Sequence, residues 1–287
     1  MNVARGEMPR VSVVVTTYNW PQALEKALRA LAAQDALPAE VIVADDGSGP
    51  ETRACLERLA ADYPVPLRHA WQADDGFRAA LARNRAIAAA TGDYVILMDG
   101  DMVAHPKFVR DHLAVAQHGC FVQGIRVLTD ESGRDRLLRS ERFGANFSDS
   151  GIERRRHTLR LPWLARWWAS ASTGTSTRAI KTCNQGWWRN DLLAINGFDE
   201  RYQGWGREDK DLALRAINAG LRRRSLRFAG LATHLYHPER HDRATSVNDP
   251  LLAETLRTRP TRCALGLDRH LVEFSAAPLP DLRVQNI

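Results

Sequence analysis

"YVILMDGDMV" (residues 94–103) is a short apolar run behind a tyrosine, closed by two aspartates one residue apart. Val95 to Met98 suit a strand buried on both faces. A buried strand ending in Asp99 and Asp101 sets a problem, because neighbouring carboxylates repel and each loses solvation. Positive charge has to face them. Oxygen ligands at that spacing suit a hard divalent cation, and Gly100 between them permits a tight turn and close approach of a ligand.

The flanking sequence places this strand in a series. "VSVVVTTYN" (11–19) is β-branched and reads as a buried strand. "PQALEKALRALAAQ" (21–34) opens on a proline and repeats apolar residues at helical spacing. "AEVIVADDGS" (39–48) predicts a second strand and "ETRACLERLAADY" (51–63) a helix. "PLRHAW" (66–71) predicts a short strand, and "FRAALARNRAIAAATG" (77–92) a helix stopped by Gly92. Beyond residue 103, "KFVRDHLAVAQHG" (107–119) predicts a helix and "CFVQGIRVL" (120–128) another strand. Strict alternation of this kind predicts an α/β protein, with a parallel sheet covered on both faces.

Composition narrows the class without choosing a function. The 287 residues, 44% hydrophobic, suffice for one large domain or two small ones. A net charge of +6 and a pI near 9.4 suit a polyanion, a phosphate-bearing ligand or an anionic membrane surface. Cys55, Cys120, Cys183 and Cys263 fit neither a metal nor a disulfide spacing, which points to a reducing compartment. "MNVARGEMPR" has no apolar signal region, and no apolar run is long enough to cross a bilayer. The expected location is therefore cytoplasmic, with peripheral contact on the inner face of an anionic membrane left open.

In such sheets ligands bind beyond the carboxyl ends of the strands. Three strands end in ligand-capable residues: Thr16-Thr17-Tyr18-Asn19, Asp45-Asp46-Gly47-Ser48 and Asp99-Gly100-Asp101. Any one of these is a solvated turn or a helix cap. All three on one rim point to a site. There is no G-x-x-x-x-G-K-[ST], and no G-x-G-x-x-G follows the first strand. A bound diphosphate would then be held by metal and arginine rather than by a glycine cradle.

These segments carry a resemblance. "VSVVVTTYNWPQALEKALRAL", "VIVADDGS" and "YVILMDGDM" together resemble the nucleotide-binding half of a family 2 glycosyltransferase of the GT-A fold. "GFRAALARNRAIAAATGDYVILMDGDMVAHPKFV" is similar to bacterial chondroitin-polymerase-type enzymes. "NQGWWRNDLLAINGFDERYQGWGREDKDLALRAINAG" (184–220) resembles the C-terminal signature of β-1,4-galactosyltransferases, and "HLYHPE" (234–239) their metal-binding histidine segment. The resemblance implies a Rossmann-like, mostly parallel sheet in one domain over residues 8–245. Residues 10–126 would bind nucleotide, 127–245 would bind acceptor, and 246–287 would form a tail.

The resemblance also implies roles. Asp101 and His237 would hold Mn²⁺ or Mg²⁺, with Asp99 assisting the metal or contacting the ribose. Asp45 and Asp46 would hold the uridine of a UDP-sugar beside Thr17, Tyr18 and Asn19. Arg83 and Asn84 would lie near the diphosphate, with Arg85 an alternative contact. Asp209 would be the general base, while Glu208 and Trp205 shape the acceptor site, joined by Gly186 and Trp187 of "NQGWW". Lys210 stands where the galactosyltransferases carry a third acid, which bears on the acceptor. That acceptor would be a glycan or a lipid-linked sugar, in cell-surface polysaccharide, capsule or lipopolysaccharide synthesis.

The chemistry asks for the same residue types. A sugar hydroxyl is a poor nucleophile, so a carboxylate must take its proton. A nucleoside diphosphate leaves with growing charge that a divalent cation can offset. One base and no protein nucleophile imply inversion at the anomeric carbon. "REDKDLALRA" predicts a helix with Glu208 and Asp209 in its first turn, at the positive dipole end.

Other readings compete. Trp187-Trp188 fits the core as well as a sugar platform. His112 and His118 read as helix-surface residues, and Asp74-Asp75 as a solvated turn. His234, His237 and His241 have the spacing of a histidine-only zinc site. "GIERRRHTLRLPWLARWWAS" (151–170) is either a packed helix with arginine stems on its surface or an interfacial segment facing anionic lipid. Rival functions are a sugar-nucleotide pyrophosphorylase, which needs a glycine-rich basic loop where "TTYNWPQ" stands, and a non-catalytic nucleotide-sugar-binding module. Nucleic acid is not an expected partner, because the arginines are scattered and no recognition motif accompanies them.

Overall fold

The computed structural model describes residues 8–238 and 246–284. The amino-terminal half runs β1 (Val11–Thr17), α1 (Pro21–Ala32), β2 (Glu40–Asp45), α2 (Pro50–Ala60), β3 (Leu67–Trp71), α3 (Ala79–Ala89), β4 (Tyr94–Asp99), β5 (Met102–Ala104), α4 (Phe108–Leu113) and β6 (Cys120–Gly124). Then follow β7 (Val127–Thr129), α5 (Glu131–Arg139), β8 (Ile152–Glu153), a 3-10 turn (Arg155–Thr158), α6 (Pro162–Ala171), β9 (Asn184–Trp188), α7 (Arg189–Ala194), α8 (Glu208–Asn218), β10 (Arg222–Leu226), β11 (Ala232–His234), α9 (Asp249–Thr258) and α10 (Asp268–Ala276).

Among the described residues, seven strands form one sheet in the order β10-β6-β9-β4-β1-β2-β3. All are parallel except β9, which pairs antiparallel with both β4 and β6. The sheet is thus mostly parallel, as expected, with β9 the one reversed strand. β4 finds its neighbour in β9, some 90 residues on, and "CFVQGIRVL" does not continue as one strand. It breaks after Gly124, and β7 joins a smaller sheet, β5-β11-β7-β8.

Side-chain alternation explains the layers. Val11, Val13 and Val15 face α1 and α2, while Val14 faces the layer of α3, α8 and α10. Trp187 of β9 lies in that second layer, fully buried and stacked on Phe121 at 4.4 Å. α8 is pinned by Arg215, which is buried. It pairs with Asp211 at 2.8 Å and donates to the carbonyls of Ile195 and Gly197. His112 is a correction to the surface reading: it is fully buried and lies 2.8 Å from Asn184 Oδ1. The segment after residue 246 packs on the domain, with Phe274 of α10 in the core and Glu273 paired to Arg85 of α3.

Candidate active site

The carboxyl ends of β1 and β4, the start of α8 and the β11 segment surround one open cleft of about 1270 Å³. Its first wall follows β1. Thr17 is buried, Tyr18 is 44% exposed, and Asn19 takes a left-handed backbone with φ 47°. Asn19 Oδ1 accepts from Gly49 N at 2.9 Å, and the Tyr18 hydroxyl donates to Asp74 at 3.0 Å. Asp46 also faces the cleft. Burial pushes its carboxyl up to about 6, against donation from Arg78 N and Gln72 Nε2.

The second wall holds a metal-capable trio. β11 pairs antiparallel with β5 so that His234 lies opposite Met102, one residue past Asp101. His234 Nε2 and His237 Nε2 lie 3.3 and 3.2 Å from Asp101 Oδ2. One ligand atom from each of the three residues lies within 4.8 Å of the others. Asp101 Oδ1 is buried with no hydrogen-bond partner among the described residues. Two imidazoles beside a carboxylate with an orphaned oxygen can hold a divalent transition-metal cation. Burial would raise the Asp101 carboxyl, but His234 and then His237 hold it well below the usual range. The hydrogen bond to Asp101 raises His237. His234 is among the residues whose ligand atoms meet within 4.8 Å, whereas Asp99, just before Asp101 in the chain, is not. Its Oδ1 accepts from Arg83 at 3.3 Å, and burial raises its carboxyl despite that cation.

Arg83 joins the two halves of the cleft. Buried within α3, it donates to Thr16 Oγ1 at 3.1 Å, Asp99 at 3.3 Å and Glu208 at 3.2 Å. It is the positive charge that faces Asp99, while His234 and His237 face Asp101. Across it lies the turn at residues 204–207, where Gly204 and Gly206 have φ of 75° and 92°. A side chain is strained in that backbone, which accounts for both glycines of "GWGRED". Gly204 N donates to Phe77 O, and Ser246 Oγ and Asn248 Nδ2 donate to the carbonyls of Trp205 and Gly206. The turn thereby sets Glu208 and Asp209 into the first turn of α8. Asp209 is pushed up to about 7 by burial and then by Glu208, against the pull of Lys181 and Arg83. A carboxyl poised there can accept a proton near neutral pH.

Several expected contacts are corrected. Asp45 is fully buried and lines no part of the cleft; it accepts from Ser48 N and lies 2.8 Å from His69 Nε2, so it braces the loop that carries Asp46. Asn84 is fully buried and ties Phe198 and Glu200 to α3 through its side-chain amide. Gly186 and Trp187 belong to the core, with the Trp187 indole donating to Gln185 Oε1. Arg85 points to Glu273, away from the cleft. Trp205 does line the cleft. His241 lies outside the described residues.

Arg126 and Lys181, which belong to none of the sequence motifs, also line the cleft. The Arg126 guanidinium makes no ion pair or hydrogen bond among the described residues, and its charge acts on Asp99. Nothing in the sequence marks it out among 40 lysines and arginines. His234 did carry a signal, its spacing to His237, but a strand pairing was needed to bring it to Asp101.

A parallel sheet carrying one inserted antiparallel strand, with an acid-lined cleft at its strand ends, is the GT-A glycosyltransferase fold. Solved structures agree. S. aureus TarS 1–349 in complex with UDP-GlcNAc superposes with a TM-score of 0.58 over 93% of this chain and 71% of that one, at 17% identity. The mannosyltransferase PcManGT from Pyrobaculum calidifontis, in complex with GDP-Man and Mn²⁺, gives 0.54 over 98% and 79%, at 18% identity. The sequence model of Glycosyl transferase family 2 matches residues 12–178, more than half of the chain, and one described as the N-terminal domain of galactosyltransferase matches residues 173–238. The chain belongs to glycosyl transferase family 2.

Relatives include the validoxylamine A glucosyltransferase of Streptomyces hygroscopicus subsp. limoneus, 27% identical over 76% of this chain and 50% of that protein. The hyaluronan synthase of Pasteurella multocida is 27% identical over 73% and 23%, and the chondroitin synthase of Escherichia coli 26% over 83% and 37%. The chain spans half or less of the length of these curated relatives.

Proposed function

We propose that the chain transfers a sugar from a UDP-sugar to a hydroxyl of a glycan or lipid-linked acceptor, with inversion, in the synthesis of a cell-surface polysaccharide, capsule or lipopolysaccharide. The observation that carries this reading is the union in one cleft of Asp209, a carboxyl tuned to about 7, with the Asp101–His234–His237 trio, linked through buried Arg83. Thr17, Tyr18, Asn19 and Asp46 would hold the uridine. Asp101, His234 and His237 would hold Mn²⁺ or Mg²⁺, which when bound offsets charge on the departing diphosphate. Arg126, with no counter-charge of its own among the described residues, would face the same phosphates.

The chain's own groups then run a single displacement. Asp209 takes the acceptor proton as the acceptor oxygen bonds to the anomeric carbon. The bond from that carbon to the phosphate oxygen breaks, and UDP leaves with the electron pair. Arg83 holds Glu208 and Asp99 in register, so that donor and acceptor walls keep their spacing. The complexes of TarS with UDP-GlcNAc and of PcManGT with Mn²⁺ support a nucleotide-sugar donor and a divalent cation by likeness of fold. Release of UDP from a panel of UDP-sugars, with Mn²⁺ and mixed glycan acceptors, tests the reading. Tight UDP-sugar binding without UDP release from any donor would favour a non-catalytic binding module.

A further inference from the structure

α6 and the turn before it form an exposed face that the glycosyl-transfer reading does not use. Ala165 and Ala169 turn inward, into a small cluster with Val122 and Leu226. Trp168 holds the helix down, edge-on to Phe228 at 6.2 Å and beneath Arg227 at 5.0 Å. Trp163 and Trp167, one turn apart, point the other way and are 71% and 61% exposed. Leu159 and Leu161 leading into the helix are 43% and 39% exposed. Large apolar groups left in water at this density mark a surface that something covers.

The charge around the face says what. Arg154, Arg155, Arg156 and Arg166 are all exposed, and none pairs with a carboxylate among the described residues. Glu153 is the one acid in residues 152–180. Indole rings with an aliphatic fringe, ringed by exposed guanidinium groups that face no carboxylate (Arg155 donates to the Phe147 carbonyl at 2.7 Å), match the headgroup zone of a bilayer carrying anionic lipid. A second copy fits poorly. A twofold contact sets the same patch against itself, arginine facing arginine. The leucines and the convex helix ridge also differ from the charged groove that single-stranded nucleic acid follows.

We infer that the α6 face, Trp163 and Trp167 with Arg154, Arg155, Arg156 and Arg166, docks the protein on an anionic lipid surface. The face adjoins the cleft: His157 Nδ1, in the 3-10 turn, lies 3.0 Å from the carbonyl oxygen of Arg126, whose side chain lines the cleft. Docking there brings the cleft to the surface where a lipid-linked acceptor would be found. The inference rests on the helix face and does not depend on the transferase reading.

Co-sedimentation of the full chain with phosphatidylcholine vesicles, with and without phosphatidylserine, tests it. The protein should pellet with the anionic vesicles only and be released by high salt. Trp163→Ser with Trp167→Ser should abolish pelleting. The triple change Arg154→Gln, Arg155→Gln, Arg156→Gln should weaken partitioning roughly 100-fold, at about fivefold per guanidinium. Both variants should keep UDP binding and a melting temperature near that of the wild type, since the altered side chains are exposed and the one bond lost, from Arg155 to the Phe147 carbonyl, is itself at the surface. Equal recovery in the supernatant with either vesicle would overturn the proposal. So would a solution dimer that the tryptophan variant dissolves, or binding of single-stranded oligonucleotide in preference to vesicles.

Discussion

Asp209→Asn should cut turnover sharply and stabilise the fold, the second effect growing with pH. The substitution keeps size and hydrogen bonding but cannot take the acceptor proton. General-base catalysis contributes about 10²–10⁴-fold, so turnover should fall by that range at saturating donor while UDP affinity holds. The stability effect follows from burial. Asp209 is lifted from the ordinary 3.8 to about 7, so the folded state binds its proton more tightly than the unfolded chain does. Its ionisation costs nothing below the unfolded value, costs progressively more between the two, and costs most above the folded value. Taken in full the cost approaches about 4 kcal/mol. Asp209 keeps cleft-facing surface, so water offsets part, and on the order of 1–2 kcal/mol is expected. At pH 8 that corresponds to a melting temperature roughly 2–6 °C higher for the asparagine variant, shrinking towards pH 5. Wild-type kcat/KM should rise with pH through the neutral range, and Glu208→Gln should move that limb to lower pH by removing the neighbouring charge. UDP-release kinetics and thermal melts at both pH values provide the assay. Near-normal turnover in Asp209→Asn, with loss in Glu208→Gln instead, would refute the assignment. A stability gain that is equal at pH 5 and pH 8 would refute the burial argument.

Mn²⁺ titration by calorimetry should show His234→Ala losing more than the ~10–100-fold typical of an outer-shell partner, with Asp99→Asn losing less. The reverse order would restore Asp99 to the ligand set. Trp187→Ala should cost about 3–5 kcal/mol of stability and leave the KM for donor and acceptor unmoved in whatever protein remains folded. A near-normal melt with a raised sugar KM would return Trp187 to the cleft.

Local pattern determined much of this protein. β-branched runs bounded by helical repeats have no stable burial except between two helical layers, so β1 to β4 and α1 to α3 are legible in the chain. So is the rim, because consecutive parallel strands end on one side and bring Asn19, Asp46 and Asp101 together. The glycines and acids of "GWGRED" likewise announce a strained turn and a helix start, which the structure places at residues 204–209. Pairings across long separations were not legible. β9 inserts antiparallel beside β4, and that pairing places Gly186 and Trp187 in the core rather than on the cleft. Asp45 and Asp46 are chemically alike in the sequence, yet strand alternation turns one inward to His69 and leaves the other on the cleft. His234 met Asp101 only through the β5–β11 register, and Arg83 reached Asp99 only once α3 had packed against β1 and β2. Periodicity records which face a residue takes within its own element. Which distant group that face meets is decided by the packing of the whole chain.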